Sequence, residues 1–315
     1  MSSKKVYILI LGLSGIVCVF IFLFTGREMG AKEVCQISYI YRGTPEEYSH
    51  SAMKQGIEEA AKDYGVTITA QYLNNTGDGR AQIALIQKEV ENKADAVIIE
   101  PVNSADVRDK LSEIMVNIPV VLANTGIDQY DELPQISCDS YRLGQELGEI
   151  ILENGRKGDK VLLAKEQSYF QDIDNQYQGV LDVLNGGCMT ELLELSPDMP
   201  QKEKQLEERL AKGDIETVVV FNGTDLELMG KLKRNFNHIQ PVHVYGTGKS
   251  NEVIADLEDG LIEGVGITNE YSVGYLSVQK AVLPKSDAKD IRISIIDQNN
   301  MYEKENQRLL FTLVQ

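Results

Sequence analysis

The sequence predicts an α/β protein of two doubly wound, parallel-sheet lobes preceded by one N-terminal transmembrane helix. Three observations predict it. Residues 6–25 read VYILILGLSGIVCVFIFLFT without a charge. From residue 34 onward, short apolar strand-like runs alternate with amphipathic helix-like stretches almost to the C-terminus, the pattern of parallel sheets covered by helices on both faces. The length, 315 residues, is too great for one small core and suits two.

The elements follow in order. Twenty helical residues span about 30 Å, the thickness of a bilayer's hydrocarbon core. A secretory signal has a shorter apolar region, about 7–15 residues, ending at a small-x-small cleavage site. Here the exit reads Phe24-Thr25-Gly26-Arg27, a poor site, so residues 1–30 are expected to remain as a signal anchor. Gly15-Ile16-Val17 before Cys18 puts no small residue beside that cysteine, which argues against lipidation. Lys4 and Lys5 precede the segment. Basic residues stay cytoplasmic, so the remainder should lie outside the cell membrane.

Residues 34–41 (VCQISYIY) read as a strand, and 46–64 as a helix with Met53, Ile57, Ala60, Ala61 and Tyr64 on one face. A strand over 66–72 and a helix over 79–93 follow, then strand 96–99, helix 104–115 and strand 119–122. The runs AVII and PVVL are continuously apolar, as expected of parallel strands covered on both faces. A second series opens with a helix over 140–154. Strands over 160–164, 191–195, 217–221, 242–245 and 264–268 continue it, each separated by a helical stretch. Open parallel sheets bind ligands outside the carboxyl ends of their strands. The residues just after each strand are therefore the candidates for a site.

Composition excludes several functions. With 31 basic and 48 acidic side chains the net charge is −17, which repels phosphate backbones and speaks against nucleic acid. Cys35, Cys138 and Cys188 share no CxxC spacing. They read as small buried hydrophobes in preference to a disulfide. Gly246-Thr247-Gly248-Lys249-Ser250 resembles the end of a phosphate-binding loop, but His243 stands where its first Gly is needed and Asn251 where a dinucleotide loop needs its third. Asp172, Asp174 and Gln176 open like a calcium loop that Tyr177 and Val183 then break. His50, His238 and His243 lack metal-ligand spacing, and GxSxG does not occur. No catalysis, metal or cofactor is expected.

Several strings, in their order and spacing, resemble the ribose/galactose-type solute-binding proteins of the type I periplasmic-binding fold. They are QGIEEAAKDYGV (55–66), KADAVIIEPVNS (93–104), NIPVVLAN (117–124), CDSYRLGQELGEII (138–151), TVVVFNGTDLELMGKL (217–232), LEDGLIEGVGITNEYSVGY (257–275) and IIDQNNMY (295–302). LacI-type repressors share that fold but begin with a helix-turn-helix, where this chain has its hydrophobic segment. The resemblance implies two lobes that close on a ligand about three hinge crossovers, near Asp139, Asn269 and Asp297. One lobe would hold residues 34–138 plus 270–297, the other 139–269 plus 298–315.

Carried over by position, the resemblance implies a ligand site in the cleft. The loop after the first strand would supply Arg42 and, as an aromatic wall, Tyr48. Asn124 and Thr125 stand where sugar binders hold a polar pair. Asp139 matches the acid at the first crossover, where capping a helix is preferred to direct contact. Asn222 and Asp225 follow the strand 217–221, Gln176 stands where an Arg is frequent, and Thr268 and Asn269 lie at the second crossover. Gly248-Lys249 replaces the usual acid after strand 242–245, so an Arg–carboxylate clamp on sugar hydroxyls is partly dismantled. The implied function is capture of a small polar solute, a sugar by preference, for an ABC permease or a sensor histidine kinase. The alternative is an interaction module that keeps the fold, leaves the cleft unused and regulates a membrane signalling partner.

Overall fold

The computed structural model describes residues 36–311 apart from 45–47, 75, 76, 130, 131, 156, 157, 168, 288 and 289, and the side chains of residues 48–50 are likewise outside the description. The anchor expected at residues 6–25 lies outside the described residues. Among these, no helix is long and apolar enough to cross a membrane.

Two sheets organise the chain. The first has the order β2-β1-β3-β4-β5 and is parallel throughout. Its strands are β1 (Gln36–Arg42), β2 (Thr67–Leu73), β3 (Ala96–Ile99), β4 (Val120–Ala123) and β5 (Gln135–Ile136). β3 and β4 are buried at every position, as their unbroken apolar runs require. Helices α1 (Tyr48–Tyr64), α2 (Gly79–Glu91) and α3 (Ala105–Ile114) connect the strands. Asp78 and Ser104 cap α2 and α3 by accepting from the N–H groups of Ala81 and Val107.

The second sheet has the order β11-β10-β9-β8-β6-β7. It contains β6 (Lys160–Glu166), β7 (Met189–Leu195), β8 (Thr217–Val220), β9 (His243–Thr247), β10 (Gly264–Thr268) and β11 (Ile293–Ile296). Helices α4 (Ser140–Asn154) and α5 (Gln171–Leu184) precede and follow β6. Then come α6 (Met199–Leu210), α7 (Gly223–Asn235), α8 (Asn251–Glu258), α9 (Glu270–Val282) and α10 (Lys304–Leu310). Alternating residues feed two cores. Leu162, Ala164, Val218 and Val220 join one cluster, while Val161, Leu163, Val219 and Phe221 join another with Leu143, Leu147 and Val180 of α4 and α5.

Three segments pass between the sheets: residues 137–139, Asn269, and the stretch between α9 and β11. The third corrects the expected crossing near Asp297. Ile293–Ile296 pair antiparallel with Gly264–Thr268 of the second sheet, so the chain has already returned before Ile293. The run ISII at a sheet edge carries a weaker signal than the central strands.

In each half, glycines bring two helices into close contact. Gly274 of α9 sits so near α1 that a Cβ would lie 2.2 Å from the Met53 carbonyl oxygen, and one on Gly56 would lie 2.1 Å from that of Tyr271. α4 and α5 repeat the device: a Cβ on Gly144 would lie 2.1 Å from the Gln176 carbonyl oxygen, and one on Gly179 2.2 Å from that of Tyr141. These crossings set where the N-termini of α1 and α5 stand.

Candidate functional site

Residues at the carboxyl ends of β1, β3, β4 and β9 and at the start of α5 meet at one cleft. On the first lobe Arg42 ends β1, Glu100 follows β3, and Asn124 and Thr125 follow β4. Glu100 is fully buried. Its carboxylate lies 3.3 Å from Arg42 Nε and accepts from Asn124 Nδ2 at 3.3 Å. Asn124 has a left-handed backbone, φ 63°, a conformation asparagine tolerates better than most residues.

The second lobe meets this wall with the residues that open α5. Arg42 donates to Asp172 through Nη1 and Nη2, both at 2.8 Å, a fork-on-fork geometry that makes a strong charge-assisted pair. The Asp172 N–H donates to Thr125 Oγ1 at 3.2 Å. Phe170, 4% exposed, belongs to the first lobe's core with Ile40, Val102 and Ile127, although it comes from the second lobe's chain. The Arg42 guanidinium carbon lies 4.8 Å from its ring centroid, within cation–π range. One helical turn beyond Asp172, Gln176 accepts from Thr247 Oγ1 at 2.7 Å, both buried.

A cavity of about 140 Å³ opens beside the second and third crossings. Thr268, Asn269, Lys249, Gln55, Arg292 and Arg308 contribute to its walls. Lys249 donates to the Leu309 carbonyl at 2.6 Å and lies 4.0 Å from Glu270. Burial lowers the pKa of its ammonium against the opposing pull of Glu270. The cavity joins side chains of both signs with amide and hydroxyl groups, a surface fitted to a polar, hydrogen-bonding solute.

The residues expected from sequence divide into groups. Arg42, Asn124, Thr125 and Gln176 come together at the meeting of the lobes, and Thr268 and Asn269 line the cavity. Asn269 also caps α9 by accepting from the Ser272 N–H at 3.0 Å. Asp139 caps α4, accepting from the Arg142 N–H at 2.9 Å. Asn222 caps α7 in the same manner, with 2.8 Å from the Asp225 N–H. The side chain of Tyr48 lies outside the described residues.

Asp225 requires a correction. Expected at the ligand, it is fully buried and accepts from Lys202 at 2.6 Å and from Asn222 at 2.8 Å. Burial raises the Asp225 pKa, which Lys202 opposes. Burial likewise opposes the charge of Lys202, yet Asp225 and Glu166 together raise its pKa. The position expected to touch solute instead anchors α7 to α6.

Glu100, Phe170, Asp172 and Thr247 were not singled out for the site by sequence. Glu100 had a readable signal, an acid directly after a wholly apolar strand. Asp172 drew notice only as part of a failed calcium loop, and among the described residues no group of three or more His, Cys, Asp or Glu could hold a metal. Cys138 and Cys188 are free thiols, and burial pushes Cys138, within the first crossing, up to about 11.

Comparison with known proteins adds to this geometry. The model of the periplasmic binding protein domain family matches residues 37–283. No curated protein matches. Among solved structures, a carbohydrate transporter solute-binding protein from Agrobacterium radiobacter in complex with D-arabinose is similar with a TM-score of 0.80 and 18% identity, over 90% of this chain and 100% of that one. An ABC transporter solute-binding protein from Agrobacterium vitis bound with α-D-tagatopyranose gives 0.78 and 19%, over 88% and 99%. The XylFII–LytSN complex gives 0.75 and 15%, over 84% and 98%.

Proposed function

The chain belongs to the periplasmic binding protein domain family, and from that membership we propose that it captures a small polar solute, of the sugar class, between its two lobes. One observation carries the reading. Arg42, Glu100, Asn124 and Thr125 at the strand ends of one lobe, and Gln176 on α5 with Thr247 at the end of β9 from the other, converge on one cleft. Such a set can hold hydroxyl groups from two sides, and a solute touching both lobes favours their closed arrangement. The similar structures that hold D-arabinose and D-tagatopyranose support a sugar as the class.

The apolar segment 6–25 would tether the protein to the outer face of the cell membrane, with residues from about 34 onward extracytoplasmic. There it would present its loaded form to an ABC permease or a sensor histidine kinase. Among the described residues the groups of the cleft position and hydrogen-bond, and no chemistry is assigned to it.

The test is calorimetric titration with D-arabinose and D-tagatose of the parent and of Asn124→Ala and Gln176→Ala. Each substitution should weaken binding by about tenfold, the loss of about one well-formed hydrogen bond. Undiminished affinity in both variants would move the solute elsewhere. A second reading, an interaction module with the cleft unused, is favoured by the ion pair and aromatic ring that already bridge the lobes. Failure of all sugars to bind would select it.

A further inference from the structure

We propose that residues 169–172 of the second lobe are an internal occupant of the first lobe's half of the cleft, so that solute enters by displacing them. The proposal rests on the solute-capture reading and adds a resting state to it.

The four consecutive residues all engage the first lobe. The Tyr169 carbonyl accepts from the Asn103 N–H at 2.8 Å. Its ring lies over Gly77, where a Cβ would come within 2.3 Å. Gly77 has φ 89°, so glycine suits that position both by conformation and by space. Phe170 is inserted into the first lobe's core. Gln171 Nε2 donates to Asp128 Oδ1 at 2.8 Å, and Asp172 takes both the Arg42 fork and the Thr125 hydroxyl.

Three properties distinguish this from a loop resting on a neighbour. The aromatic ring is buried among residues of the other lobe, which gives the contact a hydrophobic component. Arg42 and Thr125, two groups that the sequence reading assigns to solute, are satisfied by the segment. Arg42 also stacks on the ring that the segment inserts. A ring and an acid held two positions apart thus present an apolar face with anionic and hydrogen-bonding groups, the kind of surface a stacked polar solute would offer.

Displacement has a definite sign. If solute binds only the unlatched form, its apparent Kd is the intrinsic Kd divided by the unlatched fraction. Weakening the segment then tightens binding. If the segment instead closes over a bound solute, weakening it loosens binding.

Hydrogen–deuterium exchange of the full chain, without sugar, tests the latch. In the parent, the peptides carrying the Asn103 and Asp172 amides should be protected. Phe170→Ala and Asp172→Asn should each speed their exchange by about tenfold, while peptides from β1 and β6 stay unchanged. Loop-like exchange of those two amides in the parent, or no change in either variant, would overturn the latch. Titration with D-arabinose and D-tagatose forms the second arm. Phe170→Ala should bind about threefold to tenfold tighter than the parent, and weaker binding would overturn displacement. Protection with no sugar binding would keep the latch and remove the solute reading; sugar binding with no protection would do the reverse.

Discussion

Replacing Gly179 by alanine should destabilise the protein, although alanine is the better helix former. The added methyl would lie 2.2 Å from the Tyr141 carbonyl oxygen and 2.9 Å from the Gln145 nitrogen. Both are backbone atoms of α4, so no side-chain rotation relieves the clash, and α5 must move away. Overpacking of this kind costs about 1–3 kcal/mol. Alanine returns about 1 kcal/mol of helix propensity. With the contact more than an ångström inside ordinary distance, the upper part of the range applies, and the net loss is about 2 kcal/mol. That corresponds to a fall in Tm of about 3 °C for a protein of this length. Differential scanning calorimetry reads it directly. Gln176, less than one turn before Gly179 on α5, shifts with the helix, so contact with Thr247 and sugar affinity should weaken together. A Tm that is unchanged or higher would refute the reasoning, because helix propensity alone would then describe the site.

Two more predictions concern the charged groups. Asp225→Ala leaves the ammonium of Lys202 buried without its closest fully buried partner and should cost about 3–5 kcal/mol, seen as a lower urea midpoint; an unchanged midpoint would contradict the assigned role. Glu191 is held down to about 2, first by hydrogen bonding with Arg209 and then by Lys160. Because its folded value is depressed, its stabilisation is present above the unfolded value of about 4.3 and is lost as pH falls through about 2. Arg209→Met should therefore flatten the decline in stability over that window in acid denaturation, and a decline as steep as the parent's would exclude the pair.

How much of this was legible in sequence depends on the range of the interaction. AVII and TVVV were readable because a parallel strand buried on both faces must be apolar at every position. Helix α4 and strand β10 likewise stand where periodicity puts them. β5 has two residues and β11 four, both at sheet edges, where the pattern is too short to separate from loop. Within the site, Arg42, Asn124 and Thr125 were carried over from the family resemblance, and each stands at or just after the carboxyl end of a strand. Asp172 escaped because its partner Arg42 is 130 residues distant, and no local pattern reports such a pairing. Asp225 misled for the same reason. The family resemblance placed it at the ligand, but Lys202, 23 residues earlier on α6, takes its charge.

The central claim is best tested by a thermal-shift titration of the full chain with pentoses and hexoses, beginning with D-arabinose and D-tagatose. A solute bound only by the folded state at a hundredfold excess over Kd adds about 2.7 kcal/mol, a rise of about 4 °C for a chain of this length. The account predicts such a rise for at least one sugar, reduced by Gln176→Ala. A flat response across the whole series at saturating concentrations would contradict it.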